Sequence, residues 1–338
     1  MELDAQSDTR AITSTALEGR SLLSMRRYTP EEIELLLDAA AELKELRRQA
    51  VYERRLTNKN FALIFLKPST RTRVSFVVAA AEEGGNLEIF PAEDLRLGDK
   101  ESVADVARVL GRVFDGIAFR GFDHATIKIL ADFAGVPVWN GLCDSYHPTQ
   151  ILADLLTLRE EFGDLSSAPL TYVGDGRNNQ VTSLLIAAVK LGLDLRVLAP
   201  PELQPSPDLI SELRADDHGR GGTITVSDDP ARALDGTAAV YGDVWVSMGE
   251  IDAVERRIEL LRDFKVTPEM MGLTGRSDTI YLHCLPAFHN LDTEFARSHP
   301  GVEEVADEVF EGTSSRVFDQ SENRMHTIKA LMVLTCNT

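Results

Sequence analysis

The stretch Phe61–Val77 reads FALIFLKPSTRTRVSFV. Its apolar start, Phe61–Leu66, predicts a buried strand, and the run Val74–Glu83 is typical of a helix. A strand that turns directly into a helix leaves unpaired N–H groups at the helix N-terminus, where the helix dipole also attracts anions. The hydroxyl and guanidinium groups of Ser69–Arg73 add further donors. We therefore predict that this turn binds a phosphate.

Short apolar runs alternate with helical patterns on both sides of this turn. Strands are predicted near 61–66, 87–90, 116–119 and 136–139, and again near 170–174, 195–199, 223–226, 238–242 and 279–283. Helices occupy the segments between them, and a last helix runs from Gln320 to Leu334. The pattern predicts an α/β protein with two doubly wound parallel-sheet domains. Ligands of such sheets bind at the carboxyl ends of the strands, so we expect the domains to face a shared active-site cleft.

Two local patterns predict where elements begin and end. Thr29-Pro30-Glu31-Glu32 predicts a helix start in which Thr29 is the N-cap and Glu32 closes a capping box. That helix should run to about Arg48. The polar segment Gly163–Pro169 is the predicted linker.

Composition limits the function classes. The chain has 338 residues, enough for two domains, and a net charge of −19, so we expect no nucleic-acid partner. Cys143, Cys284 and Cys336 are too few and too scattered for a disulfide framework or a zinc cluster, which favours a reducing cytoplasm. The first residues lack the pattern of a secretory signal, and no run of about 18 apolar residues predicts a membrane helix.

Further motifs follow the phosphate-binding turn in a fixed order. They are Phe119-Arg120-Gly121, His147-Pro148-Thr149-Gln150, the run DVWVSMG at 243–249, HCLP at 283–286 and ENRMH at 322–326. With Ser69-Thr70-Arg71-Thr72-Arg73, this set resembles the aspartate/ornithine carbamoyltransferase family from about residue 20 to residue 335. The last three motifs resemble the ornithine branch.

The resemblance implies a carbamoyl phosphate site. Its residues would be Ser69, Thr70, Arg71, Thr72, Arg96, Arg120, His147, Gln150, Cys284, Leu285 and Arg324. The arginines would bind the phosphate and stabilise charge on the carbamoyl oxygen. His147 would donate to that oxygen, although from the residues alone a structural helix cap is equally compatible. Gln150 and the Leu285 carbonyl would contact the carbamoyl amine, and Arg96 would reach the phosphate of a neighbouring subunit.

The resemblance also implies an ornithine site, formed by Leu142, Asn179, Asp243, Ser247 and Met248. Asp243 would hold the α-ammonium group and Asn179 the carboxylate. The Cys284 thiol would accept a hydrogen bond from the δ-amine and help it to lose its proton. The predicted catalytic set is Arg71, Arg120, His147, Asp243 and Cys284.

The implied reaction is transfer of a carbamoyl group from carbamoyl phosphate to the δ-amine of ornithine, giving citrulline and phosphate. Residues 1–150, completed by 320–338, would bind carbamoyl phosphate, and residues 151–319 would bind ornithine. We expect no metal and no cofactor, and a homotrimer or a higher assembly of trimers. The anabolic and catabolic directions both stay open.

Three positions depart from the family pattern. Leu66 and Val77 stand where the family often carries Glu, and Arg96 stands where it usually carries Gln or His. The nearest alternative is a carbamoyltransferase for putrescine or a modified ornithine; a catalytically silent binding protein on the same scaffold is another. An NAD-dependent oxidoreductase is disfavoured, because the turn Gly174–Asn179 lacks the third glycine of a dinucleotide fingerprint.

Overall fold

The structure is a computed structural model that describes residues 11–95, 97–98, 100–216, 219–246 and 253–336. Contacts divide these residues into two compact units. The first lies within Met1–Asp144 and Arg324–Thr338, and the second within Ser145–Asn323. The assignment of 1–150 with 320–338 to one substrate and 151–319 to the other stays a prediction, as does the shared cleft.

The first unit contains a parallel sheet of four strands in the order β2-β1-β3-β4 among its described residues. The strands are β1 (Asn60–Phe65), β2 (Asn86–Pro91), β3 (Gly116–Arg120) and β4 (Val138–Leu142). The helices before and between them are α1 (Pro30–Arg48), α2 (Thr70–Glu82), α3 (Ala92–Leu95), α4 (Val103–Val113) and α5 (His124–Ala134). Phe65 lies opposite Arg120, and Arg120 lies opposite Leu142, so β1, β3 and β4 end side by side.

The second unit contains a parallel sheet of five strands in the order β7-β6-β5-β8-β9, again counted over the described residues. The strands are β5 (Leu170–Val173), β6 (Asp194–Leu198), β7 (Thr223–Ser227), β8 (Ala239–Gly242) and β9 (Ile280–His283). The helices are α6 (Pro148–Phe162), α7 (Asn179–Leu191), α8 (Pro207–Arg214), α9 (Pro230–Leu234), α10 (Val254–Leu261), α11 (Pro268–Gly272), α12 (Glu294–Ser298) and α13 (Asp307–Phe310). The last helix, α14 (Val317–Cys336), begins in the second unit and belongs to the first from Arg324 onward. The prediction of two parallel-sheet α/β domains is confirmed.

Helix α1 begins as its sequence predicts. The Thr29 side chain accepts a hydrogen bond from the Glu32 N–H at 3.2 Å, and the Glu32 carboxylate accepts one from the Thr29 N–H at 2.9 Å. This capping box satisfies two N–H groups that a helix start otherwise leaves without partners.

Helix α14 is anchored in the first unit by its last turns. The Trp139 indole N–H donates to the Thr335 hydroxyl at 3.1 Å, and Lys329 is paired with Glu82, which also pairs with Arg47. Trp139 and Lys329 are both fully buried. A buried lysine without such a partner would be costly, so the pair fixes this end of the helix.

The structure corrects three sequence-based bounds. Strand β4 begins at Val138 and continues through Asn140 to Leu142, beyond the predicted 136–139, because the Asn140 amide is satisfied by the Leu23 carbonyl at 2.8 Å. Helix α14 begins at Val317 rather than Gln320. The predicted linker Gly163–Pro169 lies inside the second unit, so this loop does not separate the units.

Two further observations concern the described parts of the chain. They contain no helix whose length and apolar content would let it cross a membrane. Their His, Cys, Asp and Glu side chains form no group of three arranged to hold a metal ion.

Candidate functional site

The predicted phosphate-binding turn joins β1 to α2. Ser69 is the N-cap of α2, and its hydroxyl accepts the Thr72 N–H at 3.3 Å. The Leu66 N–H donates to the Arg120 carbonyl at 2.8 Å, which continues the strand pairing beyond the end of β1. Helix α2 therefore begins next to the end of β3, and the N–H groups of its first turn can bind an anion there.

The hydroxyl of Thr72 brings two of the predicted arginines together. It accepts hydrogen bonds from Arg120 Nη1 at 3.2 Å and from Arg324 Nη2 at 2.6 Å. Arg324 also donates to the Gly141 carbonyl at 3.4 Å. A side chain at position 141 would crowd Thr72, since an added Cβ would lie 3.0 Å from its methyl group. Two guanidinium groups at one hydroxyl repel each other, so a bound phosphate dianion would stabilise this arrangement.

Other predicted residues of the first unit lie close to Thr72 or Gly141 in the chain. Arg71 lies in the first turn of α2 and is half-buried, Thr70 is exposed, and Leu142 ends β4. Leu66 and Val77 carry apolar side chains, so the polar support of the turn comes from Ser69 and Thr72 rather than from glutamates. Arg96 lies outside the described residues.

In the second unit, Asp243 and Cys284 follow the neighbouring strands β8 and β9 and contact each other. The Cys284 thiol donates to Asp243 Oδ1 at 3.2 Å, and the Val244 N–H donates to the same oxygen at 2.9 Å. Asp243 is buried. A buried carboxylate that already accepts several hydrogen bonds can bind an ammonium group without a further desolvation cost for itself.

Asn178 and Tyr172 complete this cluster, and the sequence analysis missed both. Asn178 Nδ2 donates to Asp243 Oδ2 at 2.9 Å and to the Tyr172 hydroxyl at 2.7 Å. The Tyr172 hydroxyl donates to Asp243 Oδ2 at 3.3 Å. Burial raises the pKa of Tyr172 well above its usual value, so its hydroxyl keeps its proton. Asn178 is also the N-cap of α7. Asn is a preferred N-cap residue, and its place between a predicted strand and a predicted helix is the sequence feature that could have identified it.

The backbone turn after β9 is strained and tightly held. Leu285 has φ of 57°, a conformation that residues other than glycine rarely adopt. The His283 ring accepts the Leu285 N–H at Nδ1 at 2.9 Å, so its own proton lies on Nε2, which is 3.2 Å from the buried Glu304 carboxylate. The Gln320 side chain accepts the His283 N–H at 2.8 Å. These contacts fix the backbone on both sides of Cys284.

The remaining predicted residues of the second unit lie at helix starts. His147 is the N-cap of α6, but within the described residues its side chain makes no capping hydrogen bond, which disfavours the capping alternative. Gln150 is buried in the first turn of α6, and its amide donates to Asp154 at 2.9 Å. Asn179 is the first residue of α7. Ser247 and Met248 lie outside the described residues.

The chain matches two family models that together span most of its length. Residues 20–160 match the carbamoyl-P binding domain of aspartate/ornithine carbamoyltransferase. Residues 167–335 match the Asp/Orn binding domain of aspartate/ornithine carbamoyltransferase.

Individual relatives extend this likeness over nearly the whole chain. Ornithine carbamoyltransferase 2, phaseolotoxin-insensitive, of Pseudomonas syringae pv. actinidiae is 51% identical over 321 residues, which are 95% of this chain and 98% of the relative. The catabolic ornithine carbamoyltransferase of Bacillus licheniformis is 48% identical over 324 residues, 94% of this chain and 97% of the relative. The solved structure of ornithine carbamoyltransferase from Pyrococcus furiosus matches with a TM-score of 0.87 and 40% identity, covering 95% of this chain and 98% of that one.

Proposed function

This chain belongs to the aspartate/ornithine carbamoyltransferase family, and on that premise we propose that it transfers the carbamoyl group of carbamoyl phosphate to the δ-amine of L-ornithine. The products are L-citrulline and phosphate. The observation that carries the proposal for ornithine is the contact of the Cys284 thiol with the Asp243 carboxylate at 3.2 Å. It joins a thiol to a buried anion that suits an amino-acid ammonium group.

Carbamoyl phosphate is bound by residues 1–150 with 320–338 in this proposal. Arg71, Arg120 and Arg324 hold the phosphate together with Ser69, Thr70 and Thr72. The two guanidinium groups that meet at the Thr72 hydroxyl support this assignment, because a dianion offsets their mutual repulsion. Arg96 supplies a further positive charge from a neighbouring subunit.

The carbamoyl group itself is recognised by residues with complementary donors and acceptors. His147 donates to the carbamoyl oxygen, while Gln150 and the Leu285 carbonyl accept from the carbamoyl amine. The positive φ of Leu285 supports its role, since a strained backbone at a strand end is commonly retained to aim a functional group.

Ornithine is bound by residues 151–319 with Leu142. Asp243 holds the α-ammonium group, Asn179 holds the carboxylate, and Ser247 and Met248 cover the side chain. The hydrogen bonds that Asp243 accepts from Asn178 and Tyr172 support its role as a fixed carboxylate.

The chemical step requires the δ-amine of ornithine in its uncharged form. The δ-ammonium loses its proton with the help of Cys284, because only the free amine has a lone pair to attack with. The lone pair forms a C–N bond to the carbamoyl carbon, and the arginines and His147 stabilise the tetrahedral intermediate. The C–O bond to phosphate then breaks, and phosphate leaves with the electron pair and accepts the second proton of the new nitrogen. In this proposal positioning and fixed charge supply the acceleration without a metal or cofactor.

We propose a cytoplasmic homotrimer. Three apolar side chains on α4 and α5 are exposed: Val109, Val113 and Phe133. Their exposure supports the proposal, because such a surface is often covered in an assembly. Native mass spectrometry of the purified protein measures the subunit number directly.

The function is tested by offering four amines side by side: ornithine, putrescine, N-acetylornithine and aspartate, each with carbamoyl phosphate. We expect carbamoylated product from ornithine at a kcat/KM far above that of the other three. A preference for putrescine or N-acetylornithine would replace ornithine by the related-amine alternative. Absence of product from all four would contradict a carbamoyltransferase.

A further inference from the structure

Asp154 is a fully buried carboxylate on α6 that accepts hydrogen bonds from three glutamine side chains. The donors are Gln150 Nε2 to Oδ1 at 2.9 Å, Gln320 Nε2 to Oδ1 at 2.6 Å and Gln180 Nε2 to Oδ2 at 2.8 Å. Gln180 Nε2 also donates to the Tyr241 hydroxyl at 2.8 Å. The proposed reaction uses Gln150 of this cluster but assigns no role to Asp154.

The direction of these hydrogen bonds is fixed from outside the cluster. The Gln320 carbonyl oxygen accepts the backbone N–H of His283 at 2.8 Å. A backbone N–H can only donate, so the Gln320 amide must present its NH₂ group to Asp154. Asp154 is therefore an acceptor at Oδ1, and Gln150 must present its NH₂ group to the same oxygen.

This direction decides what Gln150 can bind. With its NH₂ group committed to Asp154, its carbonyl oxygen is the atom that can accept a hydrogen bond. A carbamoyl amine only donates. The reversed amide would set an NH₂ group against the carbamoyl NH₂ group and leave buried donors without acceptors, which is costly in a dry site.

We propose that Asp154 is a positioning residue for the reaction proposed above, on which this inference rests. Asp154 fixes the amide of Gln150 in the orientation that receives the carbamoyl amine. Through Gln320 it also holds the backbone of the turn His283–Leu285, whose last carbonyl is assigned to the same amine. One buried carboxylate thus sets both acceptors of the carbamoyl nitrogen.

The alternative is that Asp154 has a purely structural role. A comparison of Gln180 with Gln320 distinguishes this role from a positioning role. Gln180 donates to the same carboxylate and is equally buried, but it leads to no predicted ligand. In the described residues its carbonyl oxygen is buried without a hydrogen-bond partner, and its NH₂ group donates to Asp154 and to the Tyr241 hydroxyl, neither of which is a predicted ligand. Gln180→Met and Gln320→Met therefore remove matched hydrogen bonds from Asp154 with different expected consequences.

The test compares the wild-type protein with Gln320→Met, Gln180→Met and Asp154→Leu by titration calorimetry. Each is titrated with carbamoyl phosphate and with inorganic phosphate, which lacks the carbamoyl group. Gln320→Met and Asp154→Leu should raise the Kd of carbamoyl phosphate by about 10-fold, the effect of losing an oriented hydrogen bond. The Kd of inorganic phosphate should stay unchanged in both. Gln180→Met should change neither Kd.

Three results would overturn the proposal: equal weakening of both ligands, weakening of carbamoyl phosphate by Gln180→Met to the same extent, or no change in any variant. Urea unfolding checks that the variants are folded, and if Asp154→Leu is not, the two glutamine variants decide alone. A wild-type protein that binds carbamoyl phosphate without forming citrulline would contradict the proposed function, while the calorimetric comparison would still decide the role of Asp154. A wild-type protein that binds no carbamoyl phosphate would overturn both.

Discussion

At the residue scale, the motifs predicted which side chains gather but not how they contact each other. Asp243 and Cys284 were assigned to opposite ends of ornithine, yet the thiol donates directly to the carboxylate at 3.2 Å. The motif assigned Asn179 to the ornithine carboxylate, which stays a prediction, and gave no role to its neighbour Asn178, which donates to Asp243 at 2.9 Å. Adjacent residues at a helix start direct their side chains differently, so a motif does not show which contacts each of them makes.

Removal of Arg71 tests the predicted phosphate contact. Arg71→Ala should lower kcat/KM by a factor that corresponds to about 3 kcal/mol, because a charge-assisted contact to the transition state is lost. Arg73→Ala is the matched control, since Arg73 lies two residues away on the same helix and is exposed. Steady-state citrulline formation measures both. Equal rates for Arg71→Ala and the parent protein would remove Arg71 from the site.

Asp154 predicts a pH dependence of stability. Burial raises its pKa from 3.8 to about 7, so between these values the folded protein binds a proton that the unfolded chain has released. Stability from this group is therefore present below the unfolded pKa and is lost as pH rises through the folded pKa, on the order of 4 kcal/mol in all.

The difference between parent and Asp154→Asn isolates this group, because asparagine does not titrate. Urea unfolding at a series of pH values should show a free energy of unfolding that falls towards pH 7 more steeply in the parent protein than in Asp154→Asn. Parallel curves for the two proteins would mean that Asp154 has an unshifted pKa.

At the element scale, the sequence predicted the start of α1 correctly but not the end of β4, and it placed the start of α14 at Gln320 instead of Val317. Thr29 predicted the start of α1 through a capping box that the structure contains. Asn140 and Gly141 are residue types that are rare in strands, so the end of β4 was not predicted. The physical difference is that local contacts determine a helix cap, whereas tertiary contacts determine where this strand ends. A cap is decided by residues within one turn, but a strand that contains Asn and Gly depends on partners far along the chain, such as the Leu23 carbonyl.

The cap of α1 gives a prediction confined to one element. Thr29→Ala should lower the free energy of unfolding by about 1 kcal/mol, because the Glu32 N–H loses its acceptor. Thr29→Ser keeps the hydroxyl and serves as the control. Denaturant unfolding gives both values, and kcat should stay unchanged in each. A loss in Thr29→Ser as large as in Thr29→Ala would show that the methyl group, not the cap, matters.

At the scale of the whole molecule, the alternation of strands and helices predicted both sheets, because βαβ units follow directly from hydrophobic periodicity. Contacts between chains have no such signature in one sequence. The proposed trimer and the role of Arg96 therefore rest on the family resemblance and require a test on the assembled protein.

Hybrid assemblies test whether sites are shared. Arg96→Ala and Arg71→Ala proteins, each impaired, are dissociated and reassociated together. If Arg96 acts on a neighbouring subunit, some sites in the hybrids combine an intact Arg71 with an intact Arg96, and activity should rise above that of either parent. Absence of recovery in mixtures that native mass spectrometry shows to contain hybrids would mean that each chain forms its own site.

Carbamoyl transfer to ornithine is tested most directly by following the carbamoyl carbon itself. Carbamoyl phosphate labelled with carbon-13 is incubated with the wild-type protein and ornithine, and the products are followed by carbon and phosphorus NMR. We predict that the label moves to the ureido carbon of citrulline, that phosphate appears in equal amount, and that both signals require ornithine. Label that appears only in bicarbonate, or phosphate release that does not depend on ornithine, would contradict the proposed function.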